Sequence, residues 1–284
     1  GLEKLGGKII PYIPHRVREG HGLNQPALEY LQQQGASLVI TADCGITANI
    51  EARKAQDLGL DLIITDHHEI IETIPAALAA IDPKREDSSY PFRELAGVGI
   101  AYKLLQALYK ETGNESQTDE FLDLVAIGTV ADLVPLLDEN RYLVKRGIEI
   151  LNRTGRVGLL AMLDCMGLSL GQLSSESIAF SLAPRLNAAG RIESASVSYD
   201  VLVTNSYEEA KELAALLELR NSERQQRTVE YLALAEQKLS PISKDTPMLI
   251  VADPSFHAGV NGVVAGKLTD KYYRPSLIIE IGER

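Results

Sequence analysis

The hydrophobic pattern of the first part of the chain predicts an α/β fold with a parallel sheet. Short aliphatic runs have the length of strands buried on both faces, and they span 8–13, 37–41, 62–65 and 78–83. Apolar residues at helical spacing predict helices over 26–34 and 46–58. The second helix lies between two strands, so it forms a βαβ unit, and the right-handed crossover of such a unit makes its strands parallel.

Beyond residue 90 the pattern is mostly helical. Helices are predicted over 95–109, 121–134 and 139–152, followed by short helices between 155 and 203. Residues 207–239 contain strong helix formers and neither Gly nor Pro, which predicts one long bridging helix. Two helices joined by a turn near Asn221 are the alternative.

The last part of the chain predicts a second, small α/β unit. Strands are predicted over 248–253 and 275–281, with a helix between them that follows 256–262 and ends at Tyr273. A unit of about forty residues is too short to fold on its own. We therefore expect it to be part of a larger domain that packs against the rest of the protein.

Composition narrows the functional classes. The chain has 284 residues, 45% of them hydrophobic, and no apolar run approaches the roughly 18 residues of a membrane helix. Two cysteines cannot build a disulfide framework, so we expect a reduced, cytoplasmic protein. The net charge of −11 argues against general coating of nucleic acid, but a nucleic-acid enzyme can still carry a local basic channel.

Polar residues follow two of the predicted strands. Asp66, His67 and His68 follow the strand at 62–65, and Asp43 follows the strand at 37–41. Because parallel strands end at the same edge of a sheet, these side chains are expected to lie close together.

A third acid comes from the apolar helix at 121–134. Asp132 is costly on a buried face unless it is paired or binds a metal, and the alternative is a helix-terminal cap near Pro135.

These residues predict a divalent metal site. Two carboxylates with one imidazole favour Mn²⁺ or Mg²⁺ over a structural Zn²⁺. The candidate ligands are Asp43, His67 and Asp132, with Asp66 and His68 supporting them or facing the substrate. Hydrolysis of a phosphodiester commonly uses two metals about 4 Å apart. The usual Asp-x-Asp pair for the second metal does not occur in this sequence.

A possible anion site lies further along the chain. Residues 181–191 contain Arg185, Asn187, Gly190 and Arg191, which could cradle an anion. An ordinary loop between helices explains the same composition equally well.

Several of these motifs resemble those of the DHH phosphoesterase family. Asp66-His67-His68 is similar to the motif that names the family, and residues 42–45 and 129–133 resemble two further acidic motifs. Residues 12–16, 184–191 and 257–265 are similar, in order, to segments of the bacterial single-strand-specific exonucleases of that family.

The resemblance implies a domain division. It implies a DHH domain over 1–205 with a helical part at 155–205, a long connecting helix over 206–240, and the start of a DHH-associated domain at 241–284.

The resemblance also implies a function. It implies a 5′→3′ exonuclease for single-stranded DNA in repair and recombination, using Mn²⁺ or Mg²⁺, with a single-strand-binding protein and repair or recombination factors as partners. It assigns metal binding to Asp43, His67 and Asp132, adds His68 to the catalytic residues, and gives phosphate contacts to Arg16 and Arg191. Asn187 and His257 would face the substrate.

Two other functions stay open. One is a DHH phosphodiesterase or pyrophosphatase for small nucleotides, such as cyclic dinucleotides or nanoRNA, although the helical segment at 155–203 favours a long substrate. The other is an inactive scaffold that binds replication proteins, which the intact ligand set argues against. Because the Asp-x-Asp motif is missing, we also expect a chain truncated at both ends, with at most partial metal occupancy and little activity.

Overall fold

A three-stranded parallel sheet is the centre of the first half of the chain. The computed structural model describes residues 1–16, 18–71, 73–192, 195–243 and 246–282. Its strands are β1 (Leu38–Ile40), β2 (Asp61–Thr65) and β3 (Ala79–Ile81), in the order β1-β2-β3. Val39 lies opposite Leu62 and Ile63 lies opposite Ala79, both in parallel register. The predicted α/β class and parallel strands are therefore confirmed.

Helices flank this sheet and form most of the remaining chain. In order they are α1 (Gln25–Gln33), α2 (Asn49–Asp57), α3 (Gly97–Glu111), α4 (Leu122–Ala131), α5 (Asp138–Leu151), α6 (Val157–Cys165), α7 (Ser175–Ser177), α8 (Ala183–Ile192), α9 (Ser196–Val203) and α10 (Tyr207–Leu239). The 3₁₀ turns Leu2–Leu5 and Glu115–Phe121 and a π-helical turn Ile178–Leu182 complete this part. None of the described helices is long and apolar enough to cross a membrane.

Local sequence explains where these helices begin and end. The Asn24 side chain accepts a hydrogen bond from the backbone N–H of Ala27 at 2.8 Å, so it caps α1. Gly35 follows that helix with φ of +83°, which a side chain would disfavour. Ser206 caps α10 by accepting from Glu209 N at 3.3 Å. The helix ends are therefore encoded by short-range signals.

The long helix α10 connects two hydrophobic cores. Leu217 packs in a core formed mainly by α4, α5, α6, α8, α9 and α10, whereas Tyr231 packs with Phe256 in a second core. The second core covers the strand pair β4 (Leu249–Asp253) and β5 (Ser276–Glu280) with α11 (Ala258–Tyr272). The helix is continuous through Asn221, which is 1% exposed, so the alternative of a turn there is wrong.

One predicted element is wrong, and another is shorter than predicted. Residues 8–13 form no strand, because Pro11 lacks an N–H for a strand ladder, and Ile9 and Ile13 are exposed. The predicted helix at 121–134 ends at Ala131, and Asp132 is its C-cap. Leu133 has a φ of +62° and Pro135 follows, and both features end a helix.

Close packing at Gly158 yields a stability prediction. A Cβ at this position of α6 would overlap the Val201 carbonyl, with 2.6 Å to its carbon. Gly158→Ala should therefore lower the free energy of unfolding by about 1–3 kcal/mol, because overpacking outweighs the gain in helix propensity. Gly155→Ala is the matched control, since that Cβ meets nothing within 4 Å. Urea unfolding measures both, and equal stabilities for the two variants would contradict the prediction.

Candidate metal centre

The carboxyl ends of β1 and β2 are tied together by hydrogen bonds. Thr41 N donates to Ile63 O at 2.9 Å, and Asp43 N donates to Thr65 O at 3.0 Å. The Thr65 hydroxyl donates to Thr41 O at 2.7 Å. These bonds continue the parallel ladder past the strands, so Asp43 and His67 are held side by side.

The Nε2 atom of His67 is the centre of the cluster. It lies 3.0 Å from Asp43 Oδ1 and 3.4 Å from Asp132 Oδ2. Neither carboxylate has the direction of a hydrogen bond to this atom, which is buried and has no hydrogen-bond partner among the described residues. A buried polar atom without a partner is costly, so an absent ligand is its simplest explanation.

Asp43 faces His67 from a strained backbone conformation, and Asp132 faces it from the end of a helix. Asp43 has a φ of +65°, an uncommon conformation for a residue other than glycine. Asp132 lies at the carboxyl end of α4, where its backbone N–H bonds Gly128 O at 3.0 Å. The structure thus brings together all three predicted ligands, and strain of this kind is common at functional sites.

The charges of this cluster favour a bound cation. Interaction with the Asp43 carboxylate raises the pKa of His67, against the opposing effect of burial. Burial raises the pKa of Asp132, and the neighbouring Asp43 charge adds to this effect. Two adjacent carboxylates repel each other, and a divalent cation would relieve that repulsion.

The donor set fits Mn²⁺ or Mg²⁺. Ligands at about 2.1 Å around an octahedral ion lie about 3.0 Å apart, which matches the separation of His67 Nε2 and Asp43 Oδ1. Donor atoms of Asp43, His67 and His68 also lie within 4.8 Å of one another. Imidazole with carboxylates is a mixed set of the kind that suits Mn²⁺, and its oxygens suit Mg²⁺.

Asp66 holds the loop that carries both histidines. Its side chain is buried, and Oδ2 accepts from Ile46 N at 2.9 Å. Oδ1 accepts from His67 N at 2.8 Å and lies 2.6 Å from His68 Nδ1. This arrangement supports the prediction that Asp66 orients the ligands rather than binding the metal itself.

Sequence reasoning missed two neighbours of this cluster. Gly97, the first residue of α3, lies so close to Asp43 that a Cβ there would be 2.6 Å from the Asp43 Cβ. Asp82, after β3, is 3% exposed, and its Oδ2 has no partner among the described residues. Burial has the largest effect on the pKa of Asp82 and raises it. The hydrogen bond that the carboxylate accepts from Lys84 N has the next largest effect and lowers it. For Gly97, the pair of glycines at positions 97 and 99 was the signal that the sequence offered.

A cavity of about 320 Å³ leads from the metal cluster toward α8. Asp43 and Cys44 line its inner end, and Arg16, His21 and Asn187 line the rest. The predicted substrate contacts Arg16 and Asn187 therefore share one space with a candidate metal ligand. Its size is that of a small ligand site.

The possible anion cradle at 181–191 is largely helical, so the alternative of an ordinary loop between helices is wrong. Residues from Ala183 onward belong to α8, and Arg185 and Arg191, six positions apart, point to different sides. Arg185 forms an ion pair with Glu218. Arg191 instead donates from Nη1 to Gly259 O at 3.4 Å, and it follows Gly190, which lines the cavity.

His257 lies at the start of the second unit. It is the N-cap of α11, where its Nδ1 accepts a hydrogen bond from Gly259 N at 3.2 Å. A Cβ on Gly259 would be 2.9 Å from the carbonyl carbon of Arg191, so α8 and α11 are in close contact here. The predicted substrate-facing residue His257 is therefore near Arg191.

Comparison with known proteins shows which family the chain resembles. Residues 1–129 match the DHH family, N-terminal domain. The single-stranded-DNA-specific exonuclease RecJ of Bacillus subtilis is 44% identical over 282 residues, which are 99% of this chain and 35% of that protein. The RecJ of Escherichia coli is 36% identical, over 96% of this chain and 50% of that protein. The chain thus spans between a third and a half of these relatives.

The chain covers a larger share of one solved structure than of these relatives. A crystal structure of exonuclease RecJ bound to manganese superposes with a TM-score of 0.88 at 32% identity, covering 98% of this chain and 70% of that one.

Proposed function

The chain belongs to the RecJ exonuclease family, and from this premise we propose that it forms the catalytic part of a metal-dependent exonuclease specific for single-stranded DNA. The observation that carries the proposal is the buried Nε2 atom of His67, which faces Asp43 and Asp132 without a hydrogen bond. The proposed direction is 5′→3′, with nucleoside monophosphates as products. The reaction class is hydrolysis of a phosphodiester.

Asp43, His67 and Asp132 would hold a Mn²⁺ or Mg²⁺ ion. An ion bound there lowers the pKa of water and polarises a phosphoryl oxygen. Asp66 keeps the His67 ring in place through its bonds to the loop backbone. His68, whose ring centroid is 4.7 Å from that of His67, faces the same region and is a further catalytic candidate.

The cavity supplies the substrate contacts. Arg16 lines it directly, and Arg191 lies at the end of α8 beside it. Guanidinium groups bind phosphate oxygens through paired, charge-assisted hydrogen bonds. Asn187 adds an amide on the same wall, and His257 lies where α8 meets α11. Contacts of this kind bind the DNA backbone and carry no direct information on base sequence.

The domain division supports the same proposal. We assign 1–205 to the DHH domain, 206–240 to the connecting helix and 241–284 to the start of the DHH-associated domain. The metal cluster lies at the sheet edge of the first, and α11 of the last contacts α8 of the first through Arg191. In the cell, we propose that the enzyme acts in the cytoplasm with a single-strand-binding protein and with repair and recombination factors.

A polarity assay tests this function. The full-length product of the gene that encodes this chain would be incubated with Mn²⁺ and single strands labelled at either the 5′ or the 3′ end. We expect immediate release of labelled mononucleotide from the 5′ label and progressive shortening of the 3′-labelled strand.

A blunt duplex of the same sequence is the control and should resist digestion. Equal digestion of duplex, or release from the 3′ end alone, would contradict the proposal. Turnover of dinucleotides without digestion of long strands would instead indicate a small-nucleotide phosphodiesterase.

A further inference from the structure

Arg224, in the middle of α10, is a half-buried cation without an acidic partner in the part of the chain that the structure describes. Its Nη2 donates to Asn221 Oδ1 at 3.0 Å, and the Asn221 side chain is buried. Its Nε is also buried and has no partner there. A guanidinium withdrawn from water is costly unless an anion accompanies it.

Two more guanidinium groups without an acidic partner among the described residues are Arg191, which is close enough to Arg224 to be affected by its charge, and Arg16, which is close to Arg191 in the same sense. Arg191 comes from the end of α8, which packs along α10, and Arg16 comes from the loop that lines the cavity. Burial has the largest effect on the pKa of Arg191 and lowers it. The positive charges of Arg16 and Arg224 lower this pKa further. Arg191 thus lies within electrostatic range of both Arg16 and Arg224, although like charges repel.

Two of the other arginines on these helices form ion pairs. Arg185 on α8 pairs with Glu218, and Arg220 on α10 pairs with Glu223 at 3.0 Å. Acids are therefore available along α10, but not beside Arg224 and Arg191 in the described structure. A cation cluster that remains unpaired beside a catalytic cavity is typical of an anion-binding site.

We propose that Arg224 binds a backbone phosphate of the nucleic-acid strand, together with Arg16 and Arg191. The identity of the strand rests on the proposed function, whereas the anion site rests on the unpaired cations. Asn221 is the positioning residue, because its carbonyl oxygen fixes one edge of the guanidinium. The cavity from Arg16 to Asp43 then connects the bound phosphate with the metal cluster.

Binding without hydrolysis tests this assignment. Arg224→Gln would be compared with wild type by fluorescence anisotropy, using a labelled oligothymidine of about twenty nucleotides in EDTA at several salt concentrations. We expect a loss of affinity of about 10- to 100-fold, because a charge-assisted contact is removed. The slope of log K against log salt should become shallower by about 0.7, the value for one phosphate of a single strand.

Arg220→Gln is the matched control. It removes the same charge from the same helix, but from a guanidinium that is paired with Glu223, so its affinity should stay within about threefold of wild type. Arg224→Lys keeps the charge and should keep the salt slope while losing part of the affinity, because the planar fork is lost. Thermal unfolding of each variant separates a binding effect from a folding effect.

The outcomes distinguish this proposal from the proposed function. If Arg224→Gln matches Arg220→Gln in both affinity and slope, or if wild type does not bind the oligonucleotide, the assignment of Arg224 is overturned. A weaker affinity with an unchanged slope in a folded Arg224→Gln variant overturns it too, because that result indicates a structural role. Wild type that binds the strand but does not hydrolyse it with Mn²⁺ overturns the nuclease function alone.

Discussion

His67→Gln is expected to lower the affinity for Mn²⁺ by more than about 100-fold and to remove nuclease activity. Loss of a group that only supports a ligand costs about 10- to 100-fold in metal affinity, and His67 is itself a candidate ligand. Its Nε2 faces both Asp43 and Asp132, so no other described side chain occupies the same central position. Glutamine fills a similar volume but lacks the imidazole nitrogen.

The stabilisation of the folded state by Mn²⁺ is the measurement. A metal that binds only the folded state adds about 2.7 kcal/mol at 100 times its dissociation constant, and this increment should vanish in His67→Gln. His257→Gln is the matched control, because it changes the same residue type at the start of α11. Wild-type stabilisation by Mn²⁺ in the His67 variant would contradict the assignment of this ligand.

Gly97→Ala is expected to reduce activity by about 100-fold with little loss of folding stability. An added Cβ would be 2.6 Å from both Cβ and Cγ of Asp43, so the carboxylate must move. Misplacing a catalytic group by about 1 Å can cost about 100-fold in rate. The side chain of Asp43 is 54% exposed, which allows it to move into solvent without disrupting the core.

Gly99→Ala is the matched control for this helix. Its Cβ would meet the end of the flexible Leu95 side chain at 3.3 Å, which can adjust. Both variants gain the same helix propensity in α3, so only the displacement of Asp43 separates them. Activity with Mn²⁺ and urea unfolding should be measured together. Equal activities for the two variants would contradict the role of Gly97 in placing Asp43.

Short-range patterns in the sequence explain much of the fold. The aliphatic runs at β2 and β4 and the uninterrupted helix formers of α10 predict those elements closely, because each pattern acts within a few turns or a single strand. The parallel direction of β1 and β2 follows from the handedness of the βαβ crossover. The same rule predicts, from sequence alone, that Asp43 and His67 lie at one edge of the sheet.

Local patterns also failed at identifiable places. Residues 8–13 are aliphatic enough for a strand, but Pro11 lacks the N–H that a ladder requires. Residues 183–192 contain Pro and Gly, which suggested a loop. Pro184 is nevertheless part of helical backbone that is continuous with the π-helical turn Ile178–Leu182, and the wider turn there accommodates it.

The sequence by itself determined the class of fold, the order of its elements and the residue types of the metal cluster. Only the tertiary structure decided that Asp132, at the end of α4, faces His67, that Gly97 limits the space for Asp43, and that Arg224 remains unpaired near Arg191. The physical reason is the distance along the sequence over which each kind of interaction acts. Periodicity and caps act between residues close in sequence, whereas these contacts depend on how helices distant in sequence pack against one sheet edge.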